Sequence, residues 1–225
     1  MSSCVKTPVH SPIRYAIFDL DGVITDTAKF HYLAWKRLAD EIGVPFDEDV
    51  NERLRGVDRL ASLRIVLERS PRTYSAEEQQ ALAERKNGYY RELIQTITPA
   101  DLLPGIPELL QALRERGIPM ALASASKNAP DVITRLGISG WFSAVVDAAK
   151  ITRGKPDPEI FLAAAKLLDA PPQQCVVVED AQAGIDAAKR AGMRAVAVNW
   201  RGRLEGADAS SQGTQGLTVD MLLGT

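Results

Sequence analysis

The chain has 225 residues, 27 of them Lys or Arg and 29 Asp or Glu, which gives a formal charge of −2. Hydrophobic residues at 45% and charged residues at 25% are the proportions of a soluble globular domain, which excludes a disordered or fibrous chain. The balanced charge removes the electrostatic case for a nucleic-acid or polybasic membrane partner, and no run approaches the roughly 20 apolar residues needed to span a bilayer.

The two cysteines, Cys4 and Cys175, cannot build a disulfide framework or a thiolate zinc site, so a reducing cytoplasm is the expected compartment. Residues 1–13, MSSCVKTPVHSPI, hold two prolines and no apolar stretch, and read as a flexible extension rather than a secretory leader. Arg14–Leu20, RYAIFDL, is short and apolar between polar neighbours, as a buried strand is. Phe30, Leu33, Ala34, Leu38 and Ile42 recur at helical spacing up to Gly43. A weaker helical pattern runs from Leu54 to Leu67, and a Ser75–Glu78 capping box opens a third helix, from Ala76 to about Ile97. Residues 28–97 contain no strand pattern.

After Pro104-Gly105 the texture changes. Helices are predicted at 106–116, 129–136, 159–168 and 181–191, alternating with strands at 119–124, 144–147, 175–178 and 194–198. Residues 201–216, rich in Gly, Ser and Ala, read as loop, and 217–223 as a short last helix. The alternation predicts an α/β fold, a Rossmann-like doubly wound parallel sheet. The opening strand has no partner in the helical block and must join the later sheet. The expected organisation is therefore a catalytic core of 14–27 and 98–225 interrupted by an inserted all-helical cap, 28–97.

Ligands of open parallel sheets bind at the carboxyl ends of the strands. There the sequence places Asp19 and Asp21, the hydroxyl-rich loop Ser124-Ala125-Ser126-Lys127-Asn128, Lys155, and Glu179-Asp180. Asp19 and Asp21, two apart, face one side of an extended chain. With Glu179 and Asp180 they make an oxygen-rich site suited to Mg²⁺, which is commonly shared with substrate phosphate. Lys155 and Ser124 are suited to phosphate oxygens, one carboxylate to accepting a phosphoryl group, and its neighbour to acid/base work.

These stretches, DLDGVITDT, the Ser124 loop, GKPDPEIF and VVVEDAQAGI, resemble in order the four motifs of the haloacid-dehalogenase-like phosphotransferase superfamily, over about residues 14–200. FHYLAWKRLADEIGV, RLRGVDR and RKNGYY sharpen the likeness to its sugar-phosphomutase branch, which interconverts β-glucose 1-phosphate and glucose 6-phosphate through β-glucose 1,6-bisphosphate. The resemblance implies Asp19 as nucleophile and Asp21 as general acid/base. It implies one Mg²⁺ held by Asp19, the Asp21 backbone carbonyl, Glu179 and Asp180, and the bisphosphate as activating intermediate. Ser124 and Lys155 would hold the transferring phosphoryl group, while Arg59 would grip the other phosphate, helped by Ser126 and Asn128. Lys86 would meet the sugar hydroxyls, and Thr27 and His31 would lie at the hinge near Asp21. Gly56, Ser62 and Ala125 complete the implied substrate contacts, and Trp35 lies either there or in the cap core.

Plainer roles compete for several of these residues. Asp26 is most simply a helix cap ahead of Ala28, Asp180 could cap the helix after it, and Cys175 reads as inert core. A sugar-phosphate phosphatase on the same scaffold is the alternative activity, differing in whether a sugar hydroxyl or water attacks the phosphoenzyme. A sensor without turnover would need a broken catalytic set, and a dehalogenase leaves Asp21 without a task. Small sugar phosphates are the expected partners of a monomer. Asn199-Trp200-Arg201 stands where the superfamily pattern expects a glycine-rich strand exit; together with the extension and the 203–216 tail, it is expected to leave the catalytic set untouched.

Overall fold

The computed structural model describes residues 12–54, 57–200 and 202–225. The extension up to residue 11, Gly56 and Arg201 lie outside the described residues. Six strands, β1 (Tyr15–Phe18), β2 (Met120–Leu122), β3 (Ala144–Val145), β4 (Cys175–Glu179), β5 (Arg194–Asn199) and β6 (Ala209–Gln212), form one sheet. Their order is β3-β2-β1-β4-β5-β6, with every pairing parallel. The opening strand thus joins the later ones at the centre, as its lack of a local partner requires. β4, CVVVE, is buried along its whole length, the near-continuous apolar run of a strand covered on both faces.

Four helices follow β1: α1 (Ala28–Glu41), α2 (Glu48–Glu52), α3 (Arg59–Leu67) and α4 (Ala76–Leu93). The rest are α5 (Ile106–Glu115), α6 (Ala129–Arg135), α7 (Glu159–Leu167), α8 (Gln182–Arg190) and α9 (Val219–Leu223). The strand period of two sorts the sheet's residues between its faces. Phe18, Val176, Val178 and Val196 pack with Leu110 of α5, Ile133 of α6 and Leu222 of α9. Ile17, Val177, Ala195 and Ala197 pack with Phe161 of α7 and Ile185 of α8.

Helices α1–α4 close on a core of their own, which includes Trp35, Leu38, Phe46, Leu63, Val66 and Leu82. The inner side of this block, Phe30, Ala34, Tyr90 and Ile94, belongs instead to the main core. The Ser75 capping box forms as the sequence predicts: Ser75 Oγ accepts from the Glu78 amide at 3.2 Å, and Glu78 accepts from the Ser75 amide at 2.8 Å. The helix expected at 54–67 begins only at Arg59, as α3, and the short α2 before it is not anticipated by the sequence pattern. Asp47 caps α2 through the Val50 amide at 2.9 Å, and Asp58 caps α3 through the Leu60 and Ala61 amides, both at 3.0 Å.

The two connections between this block and the sheet are tied to each other. Thr25 Oγ1 donates to the Asp101 carbonyl at 2.7 Å, and the Leu103 amide donates to the Ile24 carbonyl at 2.9 Å. Within the stretch expected as loop, β6 extends the sheet by pairing Ala209–Gln212 with Val196–Asn199. Its residues, ASSQ, carry no apolar alternation, so its pairing rests on backbone hydrogen bonds. Among the described residues no helix is long and apolar enough to cross a membrane.

Candidate active site

The register at the centre of the sheet assembles the core half of the site. Phe18 lies opposite Leu122 on one side and Val178 on the other. The residues just beyond these, Asp19, the Ser124 loop and Glu179-Asp180, therefore emerge side by side. Lys155, from the connection between β3 and α7, donates to Asp19 Oδ1 at 2.6 Å and also to Glu179 Oε1. Asp21 stands in the turn after Asp19, its Oδ1 accepting from Thr27 Oγ1. Two glycines make room for carboxylates. A Cβ on Gly22 would overlap Asp180 Oδ2, and one on Gly184 would overlap the Glu179 carboxylate. Gly22 also has φ +75°, which favours glycine a second time.

Ser124 is buried beyond the end of β2, and its Oγ accepts from the Ser126 amide at 3.1 Å. Ser126 Oγ accepts from the Asn128 amide at 3.3 Å, and Asn128 Nδ2 crosses to Asn87 Oδ1 of α4 at 2.9 Å. Ala125 is exposed at the head of this loop. The expected capping role of Asp180 is not what forms: Glu179 Oε2 accepts the Ala181 amide at 2.8 Å instead. Asp26 accepts from the Ala28 amide at 3.0 Å, while Thr27 takes the cap position of α1 without a side-chain bond to the helix amides.

The helical block supplies a cationic, aromatic counterpart. Lys86, only 3% exposed, lies 2.8 Å from His31 Nδ1. Its ammonium sits 4.7 Å from the Trp35 ring centre and 5.2 Å from that of Tyr90. Tyr90 stacks on His31 with ring centroids 4.1 Å apart. Arg59 begins α3 and pairs with Glu84 of α4 at 3.1 Å. Ser62 is buried, its hydroxyl donating to the Val57 carbonyl at 3.3 Å, so here it braces the loop before α3.

Burial dominates the electrostatics. It pushes the Asp19 carboxyl up to about 6, Lys155 opposing and Glu179 adding. Burial and then the Asp19 charge raise Asp21 to about 7; burial, Glu179, Asp19 and Asp21 raise Asp180 to about 8. Burial would depress Lys155, but Asp19 and Glu179 outweigh it and hold the ammonium charged. Across the seam, burial and then Arg59 lower Lys86 to about 7, against the pull of Asp21. Burial, Lys86 and Arg59 lower His31 well below its usual value, so its imidazole is neutral.

Among the described residues no three His, Cys, Asp or Glu side chains already converge as a ligand group. Asp19 and Glu179 each pair with Lys155 through one oxygen. The donor set nevertheless fits a hard dication. It is all oxygen, and two of its carboxyls, Asp19 and Asp180, are held far above the usual carboxylate range by burial and by neighbouring acids.

The structure thus brings Asp19, Asp21, Thr27, Ser124, Lys155, Glu179 and Asp180 to one edge, with His31, Lys86, Trp35 and Arg59 facing them from the helical block. Tyr90, Asn87 and Trp200 are given no place at the site by the sequence. Tyr90 sits on the helical spacing of α4 as core residues do, and its hydroxyl is buried without a hydrogen-bond partner although Thr27 and Ser126 flank it. Asn87 carries no signal of its own. Trp200 Nε1 donates to the Gly22 carbonyl at 2.8 Å, so the unusual strand exit does touch the turn that carries Asp21, contrary to expectation.

A family model for haloacid dehalogenase-like hydrolases matches residues 13–192. The β-phosphoglucomutase of Bacillus subtilis (strain 168) is 49% identical over 212 residues, spanning 93% of this chain and 94% of that protein. The phosphorylated carbohydrates phosphatase of Thermotoga maritima is 33% identical over 183 residues, 80% of this chain and 82% of its own. The crystal structure of β-phosphoglucomutase from Clostridium difficile, 46% identical, is similar with a TM-score of 0.88 over 92% of this chain and 94% of that one.

Proposed function

The chain belongs to the haloacid dehalogenase-like hydrolase family, and on that premise we propose that it interconverts β-D-glucose 1-phosphate and D-glucose 6-phosphate, the β-phosphoglucomutase reaction. One observation carries the reading beyond family membership. A phosphoryl-transfer set on the sheet faces the His31–Lys86 pair, close enough for Asp21 and Lys86 to feel each other's charge. Once the phosphoenzyme has formed, a phosphatase needs only water at that position, whereas a mutase must hold a sugar hydroxyl in line there.

The cycle begins with Asp19 phosphorylated. The C6 hydroxyl of β-glucose 1-phosphate attacks the phosphorus, the bond to Asp19 breaks, and Asp21 takes the hydroxyl proton, giving β-glucose 1,6-bisphosphate. The bisphosphate turns over in the site. Asp19 then attacks the C1 phosphate, and Asp21 returns its proton to the leaving sugar oxygen. An acid/base group raised to about 7 is matched to this exchange near neutral pH. Thr27 holds the Asp21 carboxyl in place. Lys155 and Ser124 hold the phosphoryl oxygens, whose negative charge Lys155, kept as an ammonium, neutralises. Arg59 takes the other phosphate in exchange for Glu84, with Ser126 and Asn128 on the core side. Lys86 meets the sugar hydroxyls, His31 lies behind it near Asp21, and Trp35 and Ala125 complete the surroundings. A single Mg²⁺ held by Asp19, the Asp21 carbonyl, Glu179 and Asp180 would supply further positive charge to the phosphoryl oxygens. The reading includes a monomer working in the cytoplasm.

The test is to give the enzyme Mg²⁺, β-glucose 1-phosphate and a trace of the bisphosphate, and to follow both products. Glucose 6-phosphate without phosphate release is the expected result. Inorganic phosphate as the main product would replace the mutase by a phosphatase, the activity of the Thermotoga relative.

A further inference from the structure

The turn that carries Asp21 is closed mostly by its own backbone. The Gly22 amide donates to the Thr25 carbonyl at 2.9 Å, and the amides of Ile24 and Thr25 reach the Leu20 carbonyl at 2.9 and 3.2 Å. The Gly22 carbonyl is held from far along the chain, by the indole Nε1 of Trp200 at 2.8 Å. Trp200 stands immediately after β5, on the same carboxyl edge of the sheet as Asp19 and Glu179. Its ring rests on Gly213, just beyond β6, where an added Cβ would come within 3.3 Å of Cζ3. The backbone under the ring thus fixes its height, while 42% of the residue stays exposed. Gly22 is pinned on a second side as well, since its α-carbon leaves no space for a Cβ beside Asp180 Oδ2.

Packing on Gly213 accounts for a ring at this position, but not for one that carries an N–H. The side chain has a single hydrogen-bond donor, and that donor is committed to the carbonyl of Gly22, the residue after the proposed acid/base group. We propose that Trp200 is a positioning residue for the reaction. It fixes the rotation of the Gly22 peptide, and through it both the Asp21 carboxyl and the face that the turn presents to a metal ion. Water could satisfy the Gly22 carbonyl in its place, so the indole contributes orientation rather than stability. The inference rests on Asp19 and Asp21 being the reacting pair, as proposed above, but not on the identity of the sugar.

The decisive variant replaces Trp200 by its benzothiophene analogue, which keeps the ring on Gly213 and removes the N–H. Trp200→Phe is the simpler companion. Both should lose about fivefold in kcat and hold KM for β-glucose 1-phosphate within about twofold, and the analogue should keep the wild-type Tm. Calorimetric titration with Mg²⁺ alone should give about threefold weaker binding. An unchanged kcat or an unchanged Mg²⁺ affinity in the analogue overturns the proposal, and so does a parallel loss of Tm, which would make the ring a structural prop. The Mg²⁺ titration involves no turnover. If the wild-type enzyme releases phosphate instead of isomerising, the mutase reading fails while the role of Trp200 is still tested.

Discussion

Asp19 and Lys86 lie on opposite sides of the seam and answer to different physics. Asp19 is the proposed covalent acceptor, and no other carboxyl can take its place at the end of β1. Asp19→Asn should leave no phosphoenzyme in a radiolabel trapping assay and lower turnover by at least ~10³-fold; a labelled variant would remove the assignment. Lys86 is a stability cost, and its proposed contact with the sugar is the reason to keep it. Its pKa falls from 10.5 to about 7 on folding because burial and Arg59 disfavour the ammonium. Between those two values the unfolded chain holds a proton that the folded chain does not, so stability rises with pH through that window and is lowest below it. Lys86→Met should therefore raise stability at neutral pH by about 2 kcal/mol, read by urea unfolding, while activity collapses. A variant less stable than wild type would mean that the His31 contact outweighs burial. The acidic residues were legible in the sequence because their chemistry follows from residue type at a strand end. Tyr90 and Trp200 were not: the first has the spacing of any core residue, and the second is brought to Gly22 only by tertiary structure.

At the scale of elements, the strand-to-helix step from β4 to α8 is the most constrained part of the site. Gly184 lies in α8, where alanine ordinarily favours a helix by about 1 kcal/mol. Here its Cβ would overlap the carboxylate of Glu179, which holds Lys155. Gly184→Ala should move Glu179 and Lys155 together and cost about 100-fold in kcat, a loss that steady-state assays detect directly. Near-normal turnover would show that Glu179 has room elsewhere. The helices and buried strands were readable because apolar spacing and caps are local properties. The two places where the reading differed have the opposite character. The short α2 and the late start of α3 depend on Asp47 and Asp58 accepting amides that periodicity does not reveal, and β6 depends on the neighbouring strand to give ASSQ a partner.

Over the whole molecule, the seam decides between isomerisation and hydrolysis, because water must be kept from the phosphoenzyme while a sugar is admitted. Asn128 to Asn87 is a direct side-chain bond across it. Asn128→Ala should loosen that closure and raise phosphate release relative to glucose 6-phosphate by about threefold; an unchanged product ratio would place the control of water elsewhere. The sheet and the helical block were each visible in the sequence, but the side chains that meet between them come from separate stretches of chain whose encounter only the fold provides.

The tie between the two connections, Thr25 to Asp101 and Leu103 to Ile24, has a consequence for how such a molecule can be rebuilt. Chain leaves and re-enters the sheet at almost one point, so the intervening segment is topologically a cassette that could be exchanged for another without rethreading the rest. The exchange would not be clean. Phe30, Ala34, Tyr90 and Ile94 fill the main core from the cassette's side, so a transplanted replacement must bring its own apolar plug or leave a hydrophobic wound on the sheet domain. Grafts that preserve those four positions should stay soluble, and substrate choice could then be varied independently of the chemistry beneath.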